Sequence, residues 1–391
     1  MPIADGIKES LSQSSWIRKM FEEGIKLKQE FGSDNVFDFS LGNPDLNPPG
    51  KFFDILRKLS SSHIPGVHGY MPNAGFPDVR KAIAAKVSRE QGIVVSADFV
   101  IMTCGAAGGC NALMKTILNP GDEVLVPKPY FVEYNFYVKN HGGVIRPVES
   151  SQDFSLNINA IREAIGPKTK AVLINSPNNP TGRVYSKDDL AALASVLNEW
   201  HQRGQTIYLI SDEPYRDIVY DGAVVPGILN IYPHSIVVNS YSKSLSIPGE
   251  RIGYAAVNPS CDDADSIMAG LIFSNRILGF VNAPALMQRC VAELTDVVVD
   301  IEPYRRRRDV MMGGLQDAGY EFVKPEGAFY LFCKSPLDDD VSFVRHLQKY
   351  RILAVPGSGF AGPGYFRLAY CVPEDVIVRS IPKFEEALNT L

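Results

Sequence analysis

From about residue 77 to residue 257 the chain alternates two apolar patterns. The first has helical spacing: after Pro77-Asp78, the residues Val79, Ile83 and Val87 fall on one face, and the stretch closes near Gly92. Leu190 to Trp200 reads the same way, as does the segment running to Leu118. The second pattern is a short continuous run: Phe99 to Met102, Glu123 to Val126, Ala171 to Ile174, Ile207 to Ile210, Ser235 to Asn239 and Arg251 to Val257, with Val144-Ile145 as the centre of another. Asn119-Pro120-Gly121-Asp122 is a turn between two of these. Continuously apolar strands separated by helices predict a buried, mostly parallel sheet covered on both faces, a three-layer α/β domain.

The pattern changes after about residue 284. One long helical stretch is expected from 284 to 317, then the run Glu326 to Phe332, a helix near 341–350, and Phe366 to Ala369. These predict a smaller α+β domain. The first 40 or so residues carry too little pattern to fold alone. The expected division is residues 1–45 as an arm belonging partly to the small domain, 46–283 as the large domain and 284–391 as the small one.

A chain of 391 residues with 45% hydrophobic and 21% charged residues has ample surface to bury, which excludes disorder as the dominant state. The net charge of −5 argues against a broad nucleic-acid surface. No apolar run reaches the roughly 18–20 residues of a membrane helix, and no basic-then-apolar leader opens the chain. The six cysteines include no C-x-x-C pair and read as reduced thiols of a cytoplasmic protein. The six histidines show no zinc spacing, so no metal is expected.

In parallel sheets ligands bind at the carboxyl ends of the strands. The residues there are Gly105-Ala106-Ala107, Asn175 to Thr181, Asp212-Glu213 and Ser240 to Lys243. Lys243 could be a solvated surface charge, but it sits among small hydroxyls and eight residues before Arg251. A lysine in a dry site can act as nucleophile or base, and arginine with serine suits a phosphate, a combination that fits a Schiff base to pyridoxal phosphate (PLP). Asp212 reads either as a helix cap or as the carboxylate that keeps the cofactor's ring nitrogen protonated. Tyr215 could bond the cofactor's phenolic oxygen or fill core. Asn178-Asn179-Pro180-Thr181-Gly182 could be only a turn. Gly105-Ala106-Ala107-Gly108-Gly109 matches neither the dinucleotide nor the Walker pattern, yet its backbone N–H groups could meet an anion.

The ordered set Ser176 to Gly182, Ser211 to Tyr215, Ser240 to Ser244, Gly249 to Tyr254 and Phe366-Arg367-Leu368 resembles the class I/II aminotransferases, PLP enzymes of fold type I. The resemblance implies a role for each matching position. Lys243 would carry PLP and shuttle the substrate's α-proton. Asp212 would pair with the ring nitrogen, and Tyr215 and Asn179 with the phenolic oxygen. The Gly105, Ala106 and Ala107 segment, Ser240, Ser242 and Arg251 would hold the phosphate. Phe131, or its neighbour Tyr130, would stack on the ring. Arg367 would clamp the substrate α-carboxylate, and Gly42 would lie on the segment closing over it. Tyr70 would reach the phosphate of a neighbouring subunit, giving a homodimer with shared sites. The implied activity is transfer of an amino group between an L-amino acid and a 2-oxo acid, aspartate/glutamate-type or broad-range. A PLP lyase could keep every cofactor residue, and a non-catalytic regulator is a third reading.

Substrate choice is open at this level. Arg276 could read an acidic side chain or be a surface charge. Tyr70, Phe131 and Phe360 could suit an apolar substrate. Arg305 to Arg308 form a basic run expected to be a solvated helix face.

Overall fold

A computed structural model describes residues 3–12, 16–61 and 65–391 of the chain. In chain order its strands are β1 (Phe37–Asp38), β2 (Val100–Thr103), β3 (Glu123–Pro127), β4 (Val144–Val148), β5 (Thr169–Asn175), β6 (Tyr208–Asp212), β7 (Ser235–Ser240), β8 (Gly253–Val257), β9 (Tyr330–Lys334), β10 (Ile352–Leu353), β11 (Val355–Pro356) and β12 (Tyr365–Ala369).

Seven strands form the central sheet in the order β2-β8-β7-β6-β5-β3-β4, and β8 alone runs against its neighbours. Alternate residues feed two apolar layers. Met102, Leu125, Val172, Leu209 and Val237 face one layer, while Ile101, Val124, Ala171, Ile210 and Ile236 face the other. Both faces are therefore dry, which is why the strands read as unbroken apolar runs rather than alternating ones. The mostly parallel sheet matches the three-layer expectation.

A second core gathers Phe329, Leu331, Phe343, Leu347, Phe366, Leu368, Ile377 and Phe384 around the antiparallel sheet β11-β12-β9. The N-terminal strand β1 pairs in parallel with β10, Phe37 opposite Ile352 and Asp38 opposite Leu353. That pairing brings Ser40 to Gly42 beside the C-terminal strands.

Two expectations need correction. The long helix over 284–317 is two helices, Ala285–Ala292 and Glu302–Asp317. Pro303 lies in the first turn of the second, where a missing N–H is tolerated but where a continuing helix would break. The basic run on that helix is not wholly solvated. Arg306 is exposed and Arg305 half-buried, but Arg308 is buried against Asp221 (2.9 Å) and Asp309 (2.7 Å), and Arg307 against Asp45 (2.7 Å). Four successive helical residues span every direction around the axis, so some must face inward.

Candidate active site

The carboxyl ends of β5, β6 and β7 open into a cavity of about 610 Å³. β7 ends at Ser240, and the chain turns at once into the short helix Tyr241–Ser244 that carries Lys243. Ser240 caps this turn by accepting the Ser242 N–H at 3.1 Å. The Lys243 side chain lines the cavity, and its amine donates to the Gly42 carbonyl at 2.7 Å. Burial pushes the Lys243 pKa down to about 8, and the charges of Arg367 and Arg251 act in the same sense.

Asp212, the last residue of β6, also lines the cavity. It caps no helix, because a turn follows it. Its Oδ2 accepts from the Tyr134 hydroxyl at 2.6 Å, while its buried Oδ1 has no partner among the described residues. Burial pushes the carboxyl up to about 7; Glu213 adds to the rise and the Tyr134 bond opposes it. An adjacent cation would reverse that shift.

Arg367 on β12 is buried to 1% exposure between the rings of Tyr330 and Phe360, each 4.6 Å from the guanidinium carbon. It donates to Asn179 Oδ1 (3.0 Å) and Ser40 O (2.6 Å), and its Nε is unpartnered among the described residues. Asn179 is held through its N–H on Asn175 Oδ1 (2.7 Å), and Asn175 donates to the Asp212 carbonyl (2.8 Å). Tyr215 and Tyr330 share a hydroxyl contact of 2.8 Å at the cavity wall. Gly42 is required there, since a Cβ would fall 1.9 Å from the Tyr330 hydroxyl.

The opposite end is a cradle for an anion. Gly105 opens the helix Gly105–Ile117 at a φ of +69°, and a Cβ on it would lie 2.9 Å from an Arg251 nitrogen. Ala106 and Ala107, in the first helical turn, line the cavity with Ser240, Ser242 and Arg251. First-turn N–H groups lack partners within the helix and favour negative charge.

Most of the sequence-derived candidates meet here. Phe131 lines the cavity, whereas Tyr130 is buried and bonds Asn135 (3.0 Å), which separates the two adjacent rings. Phe360 packs on Arg367 behind the wall rather than facing the cavity. Tyr70, 94% exposed, lies outside its own chain's cavity, and so does Arg276, stacked 5.2 Å from Phe273 at the end of the helix Ala264–Ile277. Sequence reasoning missed Tyr134, Tyr330, Ser40 and Glu133. The available signal was Tyr134 and Tyr137 at helical spacing just after Phe131, but nothing local paired Tyr134 with Asp212.

Residues 34–381 match the family model described as aminotransferase class I and II. The aspartate/prephenate aminotransferase of Thermus thermophilus is 36% identical over 361 residues, 89% of this chain and 90% of that protein. The aspartate aminotransferase of Geobacillus stearothermophilus is 32% identical, covering 90% and 92%. Among solved structures, an aminotransferase from Eubacterium rectale superposes with a TM-score of 0.96 at 36% identity, over 100% of this chain and 99% of that one. The Thermus thermophilus aspartate aminotransferase with maleate gives 0.87 at 31% identity, over 96% and 97%. The chain belongs to the class I and II aminotransferases and is a PLP-dependent transaminase of fold type I.

Proposed function

We propose that the cavity at the ends of β5, β6 and β7 is where the amino group passes between an L-amino acid and a 2-oxo acid. The observation that carries this is a set of unspent groups lining one space. The Lys243 amine rests on a single carbonyl, and Asp212 Oδ1 and Arg367 Nε have no partner among the described residues.

This donor set fits PLP. The Gly105-Ala106-Ala107 turn, Ser240, Ser242 and Arg251 would hold the phosphate. Asp212 would face the ring nitrogen, Phe131 the ring, Tyr215 and Asn179 the phenolic oxygen. When bound, the cofactor supplies a carbonyl for amine exchange and a ring that takes up the electron pair left at the substrate α-carbon. Asp212 would keep the ring nitrogen protonated, and Tyr134 would hold that carboxylate in place. Arg367 would take the substrate α-carboxylate in a two-pronged bond, exchanging Ser40 O and Asn179 Oδ1 for it. Lys243, with a pKa near 8, exists in both protonation states close to neutrality and would carry the proton from the α-carbon.

The relatives named above carry aspartate and prephenate in their names. In this cavity the lining cations are Lys243, Arg251 and Arg367, and each has a role already. The substrate range read from this is not tied to a second carboxylate. The test is to mix reconstituted protein with single amino acids and an acceptor 2-oxo acid. A new amino acid is the expected product; ammonia or a thiol without one would replace transamination by lyase chemistry.

The reading extends to a homodimer, in which Tyr70 of each copy serves the other's phosphate, supported by its exposure outside its own cavity. It also places the enzyme in the cytoplasm, supported by free cysteines throughout the described chain. Among the described residues no helix is long and apolar enough to cross a membrane. The division into 1–45, 46–283 and 284–391 is kept, supported by the separate core around β9, β11 and β12.

A further inference from the structure

Glu133 opens the helix Glu133–Lys139, two residues after Phe131 and one before Tyr134. Its side chain lines the cavity, half-buried. It makes no hydrogen bond or ion pair with any described residue, and burial raises its carboxyl above the usual range. Withdrawing a carboxylate from water without a partner is unfavourable. Such a group in a cleft is a mark of ligand recognition.

The charge inventory makes the point sharper. The acids lining the cavity are Asp212 and Glu133; the bases are Lys243, Arg251 and Arg367. Under the transaminase reading every one but Glu133 faces the cofactor or the α-carboxylate. Among this chain's own lining residues no cation is left for a second substrate carboxylate, and one anion is left over. Leu41, Phe131 and Tyr137 add apolar walls to the same cavity. An apolar stem tipped by a donor suits such a slot, as lysine and arginine side chains do in proteins.

We propose that Glu133 binds the side chain of the substrate, and that the preferred donors are L-amino acids with an apolar stem ending in a cation. This rests on the transaminase reading above. An acid in a first helical turn also favours the helix dipole, but that effect would not select among substrates.

The test measures kcat/KM of the reconstituted enzyme for L-lysine, L-ornithine, L-aspartate and L-glutamate, following cofactor absorbance in the amino-acid half-reaction. Wild type should favour lysine or ornithine over aspartate. Glu133→Gln should lower that ratio roughly 10- to 100-fold, the worth of a charged hydrogen bond. Glu133→Lys should turn the preference toward aspartate, and Glu133→Asp should keep its original direction. Preference for aspartate in wild type, or a ratio unmoved by Glu133→Gln, overturns the proposal while leaving the transaminase reading intact. A cofactor-loaded enzyme that converts no amino acid overturns both.

Discussion

Asn258 and Asn175 lie at opposite ends of the central sheet. Asn258, fully buried at the amino end, donates to Leu229 O (2.8 Å) and Tyr232 O (3.1 Å) and accepts from the Ser260 N–H (3.0 Å). Nearby Tyr232 donates to Ile207 O at 3.0 Å. There the buried polar groups are consumed in shaping the backbone. Asn175 is consumed too, on Asp212 and Asn179, but the groups it positions are not: Asp212 and Arg367 each keep a free atom. Polarity that only builds structure closes on itself; polarity that meets a ligand is left open, and the fold bears the penalty of that. The amino end has an exception in His234, whose Nδ1 is unpartnered among the described residues and which comes together with His201 and Asp262.

This contrast can be broken by substitution. The largest effect belongs to Lys243→Ala, which should cut transamination by about 10⁴-fold and abolish borohydride trapping of the cofactor, with an unchanged circular dichroism spectrum. A variant that still traps the cofactor would remove Lys243 from its role.

Asp212→Asn should lower turnover roughly 10²- to 10³-fold yet raise the melting temperature of the cofactor-free protein. The sign follows from proton binding. The folded carboxyl ionises near 7 and the unfolded one near 3.8, so between these values the folded chain holds more protons. Its stability therefore falls as pH rises toward 7, and the full penalty stands above that. The gain in the variant should be present at pH 8 and gone near pH 4, checked by thermal melts across pH. A variant less stable than wild type at pH 8 would contradict the open-group account.

At the closed end the pattern inverts. Asn258→Ala strands two buried carbonyls and should cost about 1–3 kcal/mol, read as a lower urea midpoint, with turnover per folded molecule unchanged.

Apart from the edge strand β4, which is mostly exposed, the central sheet was legible because both its faces are dry, so its strands announced themselves as apolar runs. The residues following those runs were legible for the same reason, since strand ends face the cavity. What escaped depends on closure over long distances. Tyr134 meets Asp212 from 78 positions away, and Ser40 meets Arg367 from 327. No local spacing encodes such contacts. The histidine pair His201 and His234 with Asp262 was hidden likewise, because zinc spacing was sought along the chain. The break between residues 292 and 302 was visible as Pro303, whose place at a helix start rather than inside one the apolar pattern could not decide.

Strand β1 has a further consequence for how the enzyme comes into being. The ribosome releases the carbonyls of Ser40 and Gly42 early, but β1 can dock only once Ile352 has emerged, and Arg367 follows later still. The reactive amine is thus fenced in only after β10 has been made, and a fragment ending short of β10 would leave it without its gatepost.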